Sequence, residues 1–247
     1  MTEIETVRLP AGHVVLHDAR RRIRRAVDLE PFEIARFALT QAELGELLGE
    51  TAHHPRRPAT DISWLRAVRV CNAASEWEGL EPAYTVDGDD VTWHVESDGF
   101  RLPTEAEWEY ACRAGSAGAH YGPLSEVAWT AADGLSAPQD VGGRHPNLFG
   151  LFDTLGNVWE WCWDFLDPAR YGDYRVFRGG GFADDAHSVR AGARRGGGPR
   201  MHHDDVGVRL ARGGFDALDA AQGWSARADA ERGDPDGPLP SGWTPRG

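Results

Sequence analysis

Seven side chains in two short segments hold most of the ligating chemistry: Asp184, Asp185 and His187, then His202, His203, Asp204 and Asp205. Two histidines and one carboxylate can hold non-heme iron with coordination positions left open. Asp184, His187 and His202 are the catalytic set that such a site would use. The competing reading is a pair of solvated loops in an acidic chain. Adjacent His202 and His203 cannot ligate one ion together without contorting the backbone. A second constellation is Asp153 and Glu160, seven positions apart and flanking Gly156. A hard cation wants carboxylate and carbonyl oxygens, and a loop that turns at a glycine can point both inward. The alternative is that Glu160 pairs with one of the many arginines. Arg190, Arg194, Arg195 and Arg209 either bind an anionic substrate or form internal ion pairs. Trp159, Trp161 and Trp163 either line a pocket or belong to the core.

The elements that position these residues are only partly regular. Short apolar runs predict strands at Val7–Pro10, His13–Leu16, Ile23–Leu29 and Phe32–Leu39, with the basic stretch Arg20–Arg25 on a solvated face. Thr40 and Glu43 form a capping box ahead of Leu44, Leu47 and Leu48. Ser63 caps a second helix that ends at Gly79, and Tyr84–His94 reads as a hairpin turning at Asp87-Gly-Asp-Asp90. A third helix covers 101–112, with Thr104 as its N-cap and Glu105, Glu107 and Glu109 near its positive end. From Ala114 to Gly214 the sequence predicts long loops. A structureless stretch of that length needs something to organise it.

The chain has 247 residues and a net charge of −13, so a nucleic-acid footprint is not expected. All 26 basic residues are arginine, read here as a base-composition bias. Cys71, Cys112 and Cys162 show no CxxC spacing and no disulfide framework, and Cys71 and Cys112 fall on apolar helix faces. The start of the chain lacks the apolar run of a signal peptide, and no stretch approaches a membrane span, so the expected compartment is the cytoplasm. The domain is expected to cover residues 1–212. Residues 213–247, rich in Asp, Ala, Gly and Pro, read as a packed-on extension and a loose tail.

Four blocks in order resemble the sulfatase-modifying-factor family: Asp98-Gly-Phe-Arg-Leu-Pro-Thr-Glu-Ala-Glu-Trp-Glu-Tyr-Ala111, Pro146-Asn-Leu-Phe-Gly-Leu-Phe-Asp-Thr-Leu-Gly-Asn-Val-Trp-Glu-Trp161, Arg175-Val-Phe-Arg-Gly-Gly-Gly-Phe182 and Asp205-Val-Gly-Val-Arg-Leu-Ala-Arg212. The family includes formylglycine-generating enzyme, sulfoxide synthases, pyoverdine-maturation proteins and lectin-like binding proteins. The resemblance implies an α+β fold of irregular type, related to C-type lectins, with little regular secondary structure and calcium-pinned loops. It implies a structural calcium on the side chains of Asp153 and Glu160 and the carbonyls of Gly156 and Val158. A further calcium site of the family has no match near Ala128-Trp129. The Gly-Gly-Ser turn of formylglycine-generating enzyme reads Gly179-Gly180-Gly181 here, and its copper-binding cysteines fall at Asp184 and at Val189 or Ser188. Copper-dependent cysteine oxidation is therefore not expected. Iron in the sulfoxide synthases also takes histidines from a helical domain for which this sequence shows no counterpart. The implied fold brings the Asp184 and His202 segments near each other, with Trp159, Arg190 and Arg209 as a substrate pocket. The expected function is a metal-dependent oxidoreductase or tailoring enzyme acting on a peptide or small metabolite. The alternative is a non-catalytic, lectin-like module that binds a ligand or a protein.

Overall fold

The computed structural model describes residues 3–18, 23–217 and 219–233. Strands β1 (Thr6–Leu9), β2 (Gly12–Asp18), β3 (Ile23–Leu29) and β4 (Phe32–Ala35) open the chain. Helices α1 (Gln41–Leu48) and α2 (Trp64–Trp77) follow, then the hairpin β5 (Tyr84–Asp87) and β6 (Asp90–Trp93), strand β7 (Phe100–Arg101) and helix α3 (Glu105–Arg113). The expected caps form: Thr40 and Glu43 close a reciprocal box on α1, Ser63 accepts from Arg66 on α2, and Thr104 and Glu107 close a second box on α3. The third helix begins at Glu105, later than the sequence pattern suggests, because Phe100 and Arg101 pair in a sheet instead.

The stretch expected to be loops contains the centre of the molecule. After α4 (Leu124–Val127) come β8 (Trp159–Phe165), α5 (Pro168–Tyr171), β9 (Arg175–Arg178), β10 (Arg194–Gly197), β11 (Val206–Gly207) and β12 (Ala211–Arg212). β8, with the sequence Trp-Glu-Trp-Cys-Trp-Asp-Phe, has its first six residues buried. A strand covered on both faces shows no polar alternation, and that hid it from a pattern search. One sheet runs β10-β9-β8-β11, with β11 parallel to β8. The other runs β1-β4-β12-β7, so a late strand sits between early ones. This closure ties residues 177 apart in sequence (Ile34 opposite Ala211).

A contiguous core joins α2, β4, β8 and the Val206–Ala211 segment, with Trp64, Trp159 and Trp161 almost wholly buried within it and Trp108 equally buried in a second cluster with Cys112 and Leu155. Each of these indoles donates to a fixed acceptor. Trp161 Nε1 reaches the Ile62 carbonyl at 2.7 Å, and Trp64 Nε1 reaches the Cys162 carbonyl at 3.0 Å. The charged face of α3 is buried as well. Arg101 holds Glu107 in a fork at 2.7 and 2.8 Å. Arg178 bridges Glu105 and Glu109, and Arg194 clamps Glu105 at 2.7 and 2.8 Å. Burial opposes ionisation of Glu105, but Arg194 and Arg178 outweigh it and hold the carboxyl below its ordinary range.

Beyond β12, the hairpin β13 (Ala220–Ala221) with β14 (Trp224–Ser225) and helix α6 (Ala226–Gly233) pack onto this body. Trp224 lies 5.2 Å from Trp93 and 5.6 Å from Trp163, ring centre to ring centre. The expected tail from residue 234 onward, and most of the basic stretch at Arg20–Arg22, lie outside the described residues. Among the described residues no helix is long and apolar enough to cross a membrane.

Candidate functional site

The turn Gly179–Gly181 leaves β9 and passes under the end of β8. Gly180 has φ +88°, and a Cβ there would meet Val189 Cα at 3.0 Å, so only glycine fits. The chain then presents Asp184, whose carboxylate is fully engaged. Oδ2 accepts from Trp159 Nε1 at 2.7 Å and from the Gly181 amide at 2.9 Å, and Oδ1 faces the Arg195 guanidinium at 3.0 Å. Arg195 also lies over the Trp159 ring, 4.7 Å from its centre. Asp184 is therefore a brace between strand and turn.

Beside this brace opens a cavity of about 810 Å³, a size suited to a small ligand. Trp159, Phe177, Tyr171 and Tyr174 give it aromatic walls, and Met201 adds an apolar patch. Arg190, His187, His203 and Asp205 supply polar groups. Arg190 makes no side-chain hydrogen bond or ion pair with any described residue, and its Nε is buried without a partner. Asp205 lies against the glycine turn: a Cβ on Gly181 would sit 3.0 Å from its Oδ2. Burial and the neighbouring Asp184 and Asp204 charges push its carboxyl up, against a pull from His203.

The expected catalytic trio is not assembled. Asp184 and His187 lie near the cavity, but His202 faces away, with Nδ1 3.0 Å from the Asp61 carbonyl. Successive residues of an extended segment point to opposite sides, so His203, not His202, reaches the cavity, where its ring lies 6.3 Å from that of Phe177. Among the described residues, no group of three or more His, Cys, Asp or Glu side chains is placed to hold a metal ion. Asp184, His187 and His202, the set expected to hold iron, are thus not brought together. Arg209 is a second correction. It is wholly buried and reaches Glu160, Phe152 O, Ala35 O and Arg36 O, so it cannot meet a substrate.

The same pairing bears on the calcium expectation. Glu160 Oε1 accepts from Arg209 at 2.7 Å, and Oε2 accepts from Trp108 Nε1 at 2.6 Å and Arg209 Nε at 3.0 Å. Glu160 is thus already satisfied by donors. Asp153 is different. Its Oδ2 takes the Gly142 amide at 2.7 Å, but Oδ1 is buried with no partner, and burial pushes the carboxyl up to about 6. An orphaned, buried carboxylate oxygen suits a hard cation. Gly156 and Val158 belong to the same buried loop, where Asp153 and Asn157 hold φ of +54° and +60°.

All three cysteines are free and buried. Burial pushes the Cys112 thiol up to about 12 and the Cys71 and Cys162 thiols well above their usual range, so none is a nucleophile at neutral pH. Sequence reasoning missed Tyr171, Tyr174 and Phe177 as cavity walls. The short helix α5, the turn after it and strand β9, which carry them, gave no periodic signal.

Two sheets closed by a late strand, long ordered loops and a glycine turn under a tryptophan-rich strand define an α+β domain of the C-type-lectin-like kind. The chain belongs to the sulfatase-modifying-factor family: the sulfatase-modifying factor enzyme 1-like domain matches residues 1–213. It is 30% identical to the formylglycine-generating enzyme of Streptomyces coelicolor, over 83% of this chain and 88% of that protein. It is 35% identical to the inactive Cα-formylglycine-generating enzyme 2 of Mus musculus, over 76% of this chain and 77% of that one. The solved structure of Treponema denticola variable protein 1 superposes with a TM-score of 0.78 at 28% identity, covering 84% of this chain and 94% of the other.

Proposed function

We propose that this chain is a ligand-binding module whose cavity beside Gly179–Gly181 takes a peptide or small metabolite bearing an anionic group. The observation that carries the reading is Arg190, a guanidinium paired with no described residue, its Nε buried, in a cavity that Trp159, Phe177, Tyr171 and Tyr174 also line. An Arg fork is well matched to a carboxylate. Support for binding without turnover comes from Asp184, which stands where the family has a copper-binding cysteine and is consumed as a brace. Two relatives carry names in keeping with it, one called inactive and one called a variable protein.

Acetyl-phenylalanyl-phenylalanine, which carries one carboxylate and two aromatic groups, is a suitable probe. Tryptophan fluorescence is expected to show saturable binding that weakens about tenfold or more in Arg190→Met. No binding, or binding indifferent to Arg190→Met, overturns the reading.

A second reading, a tailoring enzyme on a peptide or small metabolite, is supported by Asp205, whose carboxyl is held above its ordinary range by burial and lies near His203, an arrangement that suits proton transfer. It predicts a mass change in a bound metabolite or peptide that disappears in Asp205→Asn. Calcium is proposed in a narrower form than expected. Asp153 is the side chain with an oxygen to give, and the Gly156–Val158 loop lies beside it. The ion would be structural.

A further inference from the structure

The cavity holds a second charged group without a counter-ion. The Asp205 carboxylate forms no ion pair with any described residue, although His203 stands near enough to influence it. The other charges around the cavity are accounted for. Arg194 is clamped on Glu105, and Arg195 on Asp184. Asp18 lies 3.8 Å from Arg194, and Asp167, at the N-cap position of α5 without a side-chain capping bond, has contacts of its own. His17 and His187 complete the titratable lining. What remains among the described residues is one unpaired cation, Arg190, and one unpaired anion, Asp205, in the same aromatic-walled space. Leaving either partly desolvated without a partner is costly, and one ligand can relieve both.

We infer that the cavity takes a zwitterion of the amino-acid or short-peptide class, its carboxylate on Arg190 and its ammonium on Asp205. An aromatic side group then packs against Phe177, Tyr171 and Tyr174. Tyr171 and Tyr174 stack at 5.7 Å, which gives a flat apolar face. The volume of about 810 Å³ exceeds what one amino acid fills, which favours a short peptide with both termini free. This inference rests on the ligand-binding reading above and adds the ammonium subsite.

The test uses the unaltered chain and four probes: phenylalanyl-phenylalanine, its N-acetyl form, its C-terminal amide and phenylalanine. Isothermal titration is expected to show the free dipeptide binding about tenfold or more tightly than either blocked form, and more tightly than phenylalanine. In Asp205→Asn the advantage of the free over the acetylated dipeptide disappears. In Arg190→Met the advantage of the free over the amidated dipeptide disappears. If acetylated and free dipeptide bind alike, the zwitterion inference fails while the anion-binding cavity stands. If no probe binds, both fail. Equal binding of phenylalanine and the dipeptide overturns the short-peptide assignment.

Discussion

Glu160 sits where three demands meet. Its carboxylate receives the Trp108 indole and the whole fork of Arg209, and Arg209 ties it to the carbonyls of Ala35, Arg36 and Phe152. Both side chains are at most 1% exposed, so removing one partner strands a charge in the core. Arg209→Met is expected to lower stability by about 3–5 kcal/mol in urea unfolding; a loss under about 1 kcal/mol would show that the pair is not buried as described. Asp153 makes the opposite prediction. Calcium added after chelator treatment is expected to raise the melting temperature, and Asp153→Ala to remove that response. Identical melting with calcium and with chelator would end the proposal of an ion at this loop. Both residues were visible in the sequence as carboxylates flanking Gly156. Which of them an arginine would take depended on Arg209, 49 residues beyond Glu160, and no local spacing encodes that choice.

At the scale of elements, the helices were legible and the central strand was not. Thr40, Ser63 and Thr104 announce their helices through local hydrogen bonds within three residues, so capping patterns suffice to find them. β8 is defined by neighbours distant in sequence, by β9 through the pairing of Trp161 with Phe177 and by β11 through Trp159 with Val206. Its Asp164 is an acid inside this packing. The carboxyl accepts from the Glu105 amide at 2.6 Å, and burial, then the Glu105 charge, pushes it up to about 6. An unfolded aspartate releases its proton near 4, so between roughly pH 4 and 6 the native chain holds a proton that the unfolded chain has lost. Stability from this residue therefore falls as pH rises through that window and stays lower above it. Asp164→Asn keeps an acceptor for the Glu105 amide and never ionises. It is expected to exceed the parent by about 2 kcal/mol at pH 7.5 and to match it near pH 4. A variant less stable at both pH values would contradict the assignment. The hairpin β13–β14 and helix α6, which follow the family domain, cover the Trp93 and Trp163 rings through Trp224.

For the whole molecule, the fold was legible because four motif blocks occur in the family's order, and the match to residues 1–213 agrees with them. The site was legible only in part. Glycine at 179–181 marked the turn, and Asp184 with Val189 or Ser188 stands where the family resemblance places copper-binding cysteines. The side of the chain on which each histidine lies was set by the closure of the two sheets. His202 therefore turned toward Asp61 while His203 entered the cavity. What the fold leaves open there is an aromatic-walled space with an arginine that pairs with no described residue, the feature on which the proposed anionic ligand rests. The most direct test is a crystal structure of the chain grown with acetyl-phenylalanyl-phenylalanine. The account predicts the ligand in the cavity with its carboxylate within about 3 Å of the Arg190 guanidinium. Ligand density elsewhere on the molecule, or in the cavity with the carboxylate turned away from Arg190, would contradict it.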